Sequence, residues 1–164
     1  MIDTFYKLNK EEIKIEYPIV VQLIDKKVKP MVNLFYKTHI DGTLPDSDKT
    51  IFVFGSNLSG YHGGGAAYYA YKNLGAEYCK CFGLSGTSFA IPTKDYNVYD
   101  SLPLHVIKDY VNKFKEYALA HPELDFFITR LGCVIAGYSD EDVAPLFKGV
   151  SNNCDIPESW VKYL

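Results

Sequence analysis

Long hydrophobic runs are missing from this chain: no stretch reaches the roughly 18 apolar residues that a membrane span needs. Its opening residues, MIDTFYKLNKEE, lack the apolar core of a secretory leader, so a cytoplasmic protein is the expectation. Positive charge is not in surplus either. The formal net charge is −3 over 164 residues, which argues against duplex nucleic acid as a partner and leaves room only for a small basic patch. Cysteine is sparse. Cys79 and Cys81 form a C-x-C pair, one residue tighter than a zinc knuckle, and Cys133 and Cys154 stand apart, so no second pair completes a metal set. Four reduced, structural thiols are expected, with no metal and no cofactor. Both familiar phosphate signatures are absent too, the loop ending in Gly-Lys-Ser/Thr and the G-x-G-x-x-G that follows a strand.

What is present is a composition of 48% apolar and 23% charged residues, that of a globular domain able to bury a core. Its most informative stretch is Phe52–Ala67, FVFGSNLSGYHGGGAA. The apolar run Ile51–Phe54 gives way to a loop holding Gly55, Gly60, Gly63, Gly64 and Gly65, and an alanine- and tyrosine-rich helical segment follows at once. A strand feeding a helix through glycines exposes backbone N–H groups at the positive end of the helix dipole. Such a junction suits a phosphate or nucleotide; it also serves as a plain tight connection. Fourteen tyrosines are the other unusual feature, and Tyr61, Tyr68, Tyr69, Tyr71, Tyr78, Tyr96, Tyr99 and Tyr138 crowd the segments around the loop. Most belong to core or rim, with one or two suited to stacking on a flat ligand ring.

Two regions are expected. Residues 1–49 read as an N-terminal extension packed on the main domain: Ile13–Tyr17 alternates like a half-buried strand, Ile19–Ile24 and Met31–Tyr36 are further apolar segments, and an edge strand of the sheet is one role for this part. Residues 50–164 alternate strand and helix. Strands are predicted at Ile51–Phe54, at Ser88–Ile91 with Pro92 as its stop, and at Phe126–Thr129. Helices are predicted at Gly65–Leu74, at Leu102–His121 and from about Asp140. That order implies an α/β fold with a mostly parallel central sheet flanked by helices. Ligands then sit at the carboxyl ends of the strands. Those ends read Gly55-Ser56-Asn57, Pro92-Thr93-Lys94-Asp95 and Arg130-Leu131-Gly132-Cys133, each polar or glycine-rich.

Among side chains near these ends, His62 is a candidate for phosphate contact or proton transfer, or an exposed loop histidine. Arg130 could pair with a phosphate, or with Asp95 or Asp140. Asp142 could serve as an acid or base, or as a helix N-terminal charge.

Three segments resemble the macro domain family, whose three-layer fold binds ADP-ribose. They are Asn57 with Gly63-Gly64-Gly65-Ala66-Ala67, the run Thr87–Lys94, and Thr129-Arg130-Leu131-Gly132-Cys133, the last similar to a segment of the ADP-ribosyl-glutamate hydrolases of that family. The FGSN, IPTK and AGY-x-D-x-D-x-APLF runs are also similar to small macro-like proteins of phages and prophages. The likeness covers about Thr50–Gly149. It implies that Asn57 lies near the distal ribose and that Gly63, Gly64 and Gly65 admit the ribose and diphosphate. It also implies that Gly132, Cys133, Val134 and Ile135 close over the phosphates. Lys94 falls where the hydrolases carry a lysine that attacks the anomeric carbon; a plain surface lysine is the other reading. The position of their assisting aspartate reads Ala136, which leaves Asp140, Asp142 or Asp95 as the nearest carboxylates. A lysine nucleophile must be neutral, which requires desolvation or a nearby cation.

The resulting expectation is a domain that binds ADP-ribose or a related NAD-derived nucleotide in a glycine-loop cleft, with hydrolysis of an ADP-ribosyl linkage as an added activity. The alternatives are a non-catalytic, sequestering module and a protein-interaction domain without ligand, for which the tyrosines and the N-terminal part offer a surface.

Overall fold

Apolar side chains at every position of Ile51–Phe54 require cover on both faces of their strand. The computed structural model, which describes residues 36–164, has that cover. In chain order the elements are β1 (Lys37–His39), β2 (Ile51–Asn57), α1 (Gly65–Asn73), β3 (Gly83–Ser85), β4 (Ser88–Lys94), α2 (Leu104–Ala120), β5 (Phe126–Ile128), α3 (Asp140–Val143) and β6 (Cys154–Pro157). Short 3-10 turns follow α3 at Ala144–Phe147 and β6 at Glu158–Tyr163. The described strands form one sheet in the order β1-β6-β5-β2-β4-β3, parallel throughout except for the β3–β4 pair.

Period-two alternation along the central strands sorts their side chains into two cores. Ile51, Val53, Phe89, Ile91, Phe126 and Ile128 face one way and pack with Ile107, Val111, Phe114 and Ala118 of α2 and with Trp160. Phe52, Phe54, Ala90 and Phe127 face the other way, toward Ala67 and Ala70 of α1. The α2 positions are spaced i, i+4, i+7 and i+11, the apolar stripe expected of a surface helix. Burying each large side chain contributes about 1.5–3 kcal/mol. The result is the expected α/β/α layering.

Several boundaries differ from expectation. Pro92 does not stop its strand, because β4 runs to Lys94. Pairing of β3 with β4 ends at Ala90, so the missing N–H of Pro92 costs no ladder bond on that side. The helix expected from Asp140 lasts one turn before Pro145 draws the chain into a 3-10 turn. The short strands β3 and β6 carried no clear alternation and were not anticipated. Residues Lys37–His39, on the N-terminal side of the boundary expected at residue 50, supply the edge strand β1. The segments Ile13–Tyr17, Ile19–Ile24 and most of Met31–Tyr36 lie outside the described residues, as does the packing expected of them. No described helix is long and apolar enough to cross a membrane.

Candidate functional site

Parallel strands deliver their carboxyl ends to one edge of the sheet, and there β1, β2, β4 and β5 surround a cleft of about 400 Å³. One wall is the start of α1, Gly64 to Ala67. The facing wall is the loop after β5, with Gly132, Val134, Ile135 and Ala136. A third wall is the β1–β2 loop, Asp41 to Leu44, and the floor includes Phe52, Phe127, His39, Gly55 and Thr93.

The glycine loop is held from behind. Asn57, buried at the end of β2, donates through Nδ2 to the Tyr61 carbonyl at 2.7 Å, and its Oδ1 accepts from the Tyr61 N–H at 3.0 Å and from Ser59 Oγ at 2.6 Å. Its amide is therefore committed to the turn, and the residue does not line the cleft. His62 is neither an exposed loop residue nor a cleft residue. It is 1% exposed, sets its ring edge-on to Phe54 and bonds through Nε2 to the Glu77 carbonyl at 3.1 Å. Burial holds its pKa below the ordinary 6.5, and its Nδ1 has no partner among the described residues. Gly60, with φ +65°, lies so close to the Cys79 backbone that any Cβ would overlap it. Together these contacts tie the loop to the 77–80 segment. Gly63 backs onto the Tyr61 ring and does not line the cleft.

Beyond that anchor the chain opens toward the cleft. Gly64 is the N-cap of α1, and the helix has no side-chain cap and no acidic residue in its first turn. The N–H groups of that turn and the positive end of the dipole are left without a counter-charge of their own. Gly65 takes φ +54°, and a Cβ there would sit 3.0 Å from Ile135 Cδ1, so the two walls approach each other at this pair.

The ionic groups are paired. Arg130 lines the cleft, but its Nε donates to Asp140 Oδ1 and its Nη1 to Asp41 Oδ2, each at 2.9 Å. These two bonds raise its pKa further, Asp41 first. Asp140 also accepts from Trp160 Nε1 at 2.8 Å. Burial alone would raise the Asp140 pKa, but the bonds from Arg130, Trp160 and Cys133 outweigh it and hold the carboxyl below its usual value. Cys133 does not line the cleft, and burial followed by the Asp140 carboxylate pushes its thiol up to about 12.

The structure does not bring the candidate catalytic groups into the cleft. Lys94 Nζ donates to the carbonyls of Val98 and Tyr99, each at 3.0 Å, and the residue is not part of the lining. Asp142 completes a capping box with Ser139, whose hydroxyl and N–H bonds lower its pKa. Thr93, Gly64, Gly65, Arg130, Gly132, Val134 and Ile135 do meet at the cleft. Among the described residues, no group of His, Cys, Asp and Glu is arranged to hold a metal, and the four cysteines are free thiols.

Sequence reasoning passed over His39, Asp41, Thr43, Leu44, Phe52 and Phe127 as cleft residues, whereas Tyr69, one of the tyrosines suited to stacking on a ligand ring, does line the cleft. The Asp41-Gly42 turn signals the ligand edge only once the parallel strand β1 before it is known, and nothing local marked His39.

A mostly parallel sheet with helices on both faces gives this chain a macrodomain-like α/β fold. A solved structure agrees on the fold: the chain is similar to the macrodomain of Mycobacterium tuberculosis DarG, at 17% identity and a TM-score of 0.53 over 73% of this chain and 94% of that one. A structure of Thermosipho africanus DarTG in complex with ADP-ribose is similar over 69% of this chain at 15% identity and a TM-score of 0.49. The chain spans 39% of that longer protein. No family model and no curated protein matches the sequence.

Proposed function

We propose that the cleft binds ADP-ribose, or a closely related NAD-derived nucleotide, and holds its diphosphate with backbone donors. One observation carries this reading: an uncapped helix N-terminus, entered through Gly64 and Gly65, faces a second glycine-containing loop across a cleft of nucleotide size. Side-chain cations are a poor substitute here, because Arg130 already serves two carboxylates. The macrodomain fold and the motif resemblance at Asn57–Ala67 and Thr129–Cys133 support ADP-ribose over other anions.

Hydrolysis through Lys94 with Asp140 or Asp142 is the weaker reading. All three are engaged in loop, cap or core contacts and none lines the cleft, which favours a binding module. Calorimetric titration with ADP-ribose tests the first claim: micromolar affinity, about −8 kcal/mol, is expected, and no heat would overturn it. Incubation with an ADP-ribosylated substrate tests the second. Release of ADP-ribose that Lys94→Ala abolishes would restore the hydrolase.

A further inference from the structure

His39 was no candidate on sequence, yet its ring forms part of the cleft floor and its side chain is only 8% exposed. It lies against Phe127 with ring centroids 3.7 Å apart and planes 25° from parallel. Phe127 in turn lies 12° from parallel with Phe52, at 6.1 Å. Three rings thus stand in a row across β1, β5 and β2, and all three reach the cleft. Such a row suits the flat heteroaromatic end of a nucleotide better than its phosphates, which belong at the start of α1.

On the intervening strand β6, Asp155 pairs in register with Lys37 on one side and Phe127 on the other. Its Oδ1 lies 3.0 Å from His39 Nδ1. A carboxylate only accepts, so Nδ1 carries a proton, and in the neutral form of the ring that leaves the lone pair at Nε2. Nε2 is on the far side of the ring from Asp155 and has no hydrogen-bond partner among the described residues. The other acceptor at this end, Asp41, is already bonded to Arg130.

We infer that His39, with its tautomer set by Asp155, is a specificity-determining residue whose Nε2 accepts a hydrogen bond from an exocyclic amino group on the base. The inference rests on the nucleotide reading above. Its test is paired calorimetry with ADP-ribose and with the hypoxanthine analogue, in which the amino group is a carbonyl. Wild type should favour ADP-ribose by about tenfold, the upper range for one neutral hydrogen bond. His39→Phe preserves an aromatic ring beside Phe127 and should bind both ligands alike. Asp155→Asn can donate its amide N–H to Nδ1, which moves the imidazole proton to Nε2 and should shift the preference toward the carbonyl analogue. A purely structural role for the pair would weaken both ligands together and reverse nothing. Equal affinities in wild type, or an unchanged preference in His39→Phe, would overturn the inference while leaving the nucleotide site intact. No binding of either ligand by wild type would overturn the nucleotide reading and this inference with it.

Discussion

A methyl group added at Gly64 and the same group added at Gly65 should have different consequences, and the difference tests whether the glycine loop meets the ligand. Gly64 has φ −156°, extended backbone that alanine adopts freely, and a Cβ there would meet no atom within 4 Å. Alanine is a poorer N-cap than glycine by some tenths of a kcal/mol, while stiffening the unfolded chain returns about 0.4–1 kcal/mol. Stability should therefore stay within about 1 kcal/mol of wild type, a Tm change of no more than about 4 °C for a domain of this size. The open space beside Gly64 is, on the proposed reading, where phosphate oxygens approach the first turn of α1. Displacing one charge-assisted hydrogen bond there costs about 1.5–3 kcal/mol, or roughly a 10- to 150-fold loss of ADP-ribose affinity. At Gly65, by contrast, alanine must adopt φ +54° and press on Ile135, so about 1–2 kcal/mol of stability should be lost before any ligand is added. Thermal unfolding and calorimetry on the two variants separate these effects. A folded Gly64→Ala protein that binds ADP-ribose as tightly as wild type would refute the argument that backbone at the start of α1 contacts the phosphates.

Other expectations concern the supports of the site. Burial keeps His62 neutral below its ordinary pKa of 6.5, whereas the unfolded chain takes up the proton there. Stability from this residue is therefore fully present above pH 6.5 and falls as the pH drops toward the lowered folded value. Denaturant titrations across that window should show a steeper loss in wild type than in His62→Phe; parallel curves would remove His62 from the account. Trp160→Phe keeps most of the buried ring against Phe147 but deletes the bond to Asp140, and should cost about 1.5–3 kcal/mol in urea unfolding. An unchanged midpoint would show that the indole N–H contributes nothing there.

The legible part of this molecule is the part whose signals are local. β2, β5 and α2 announce themselves by apolar runs or by helical spacing, and Gly64 and Gly65 by the strand-to-helix junction they occupy. β1 was illegible because Lys37, Thr38 and His39 have no apolar alternation; among the described residues it is Asp155 to Pro157 alongside that make them a strand. Lys94 shows the converse difficulty. It follows an apolar strand at the ligand edge, but successive residues of a strand point to opposite faces, and the cleft takes Thr93. Asn57 and His62 stood at the right place in the chain, and only packing reveals that they face the back of the loop instead of its open side.

The position of β1 also sets an order of events. Its neighbour among the described strands is β6; the His39–Asp155 contact joins residues 116 apart, and Arg130 reaches Asp41 across 89. Closing such loops is entropically expensive and slow compared with forming α1 or α2. A chain emerging from the ribosome can build the β2–α1 junction early, yet the pairing of the His39 strand with β6 must wait until Cys154–Pro157 has been made. On the proposed reading, the phosphate end of the cleft would then take shape before the base end, and discrimination among nucleotides would follow late in folding.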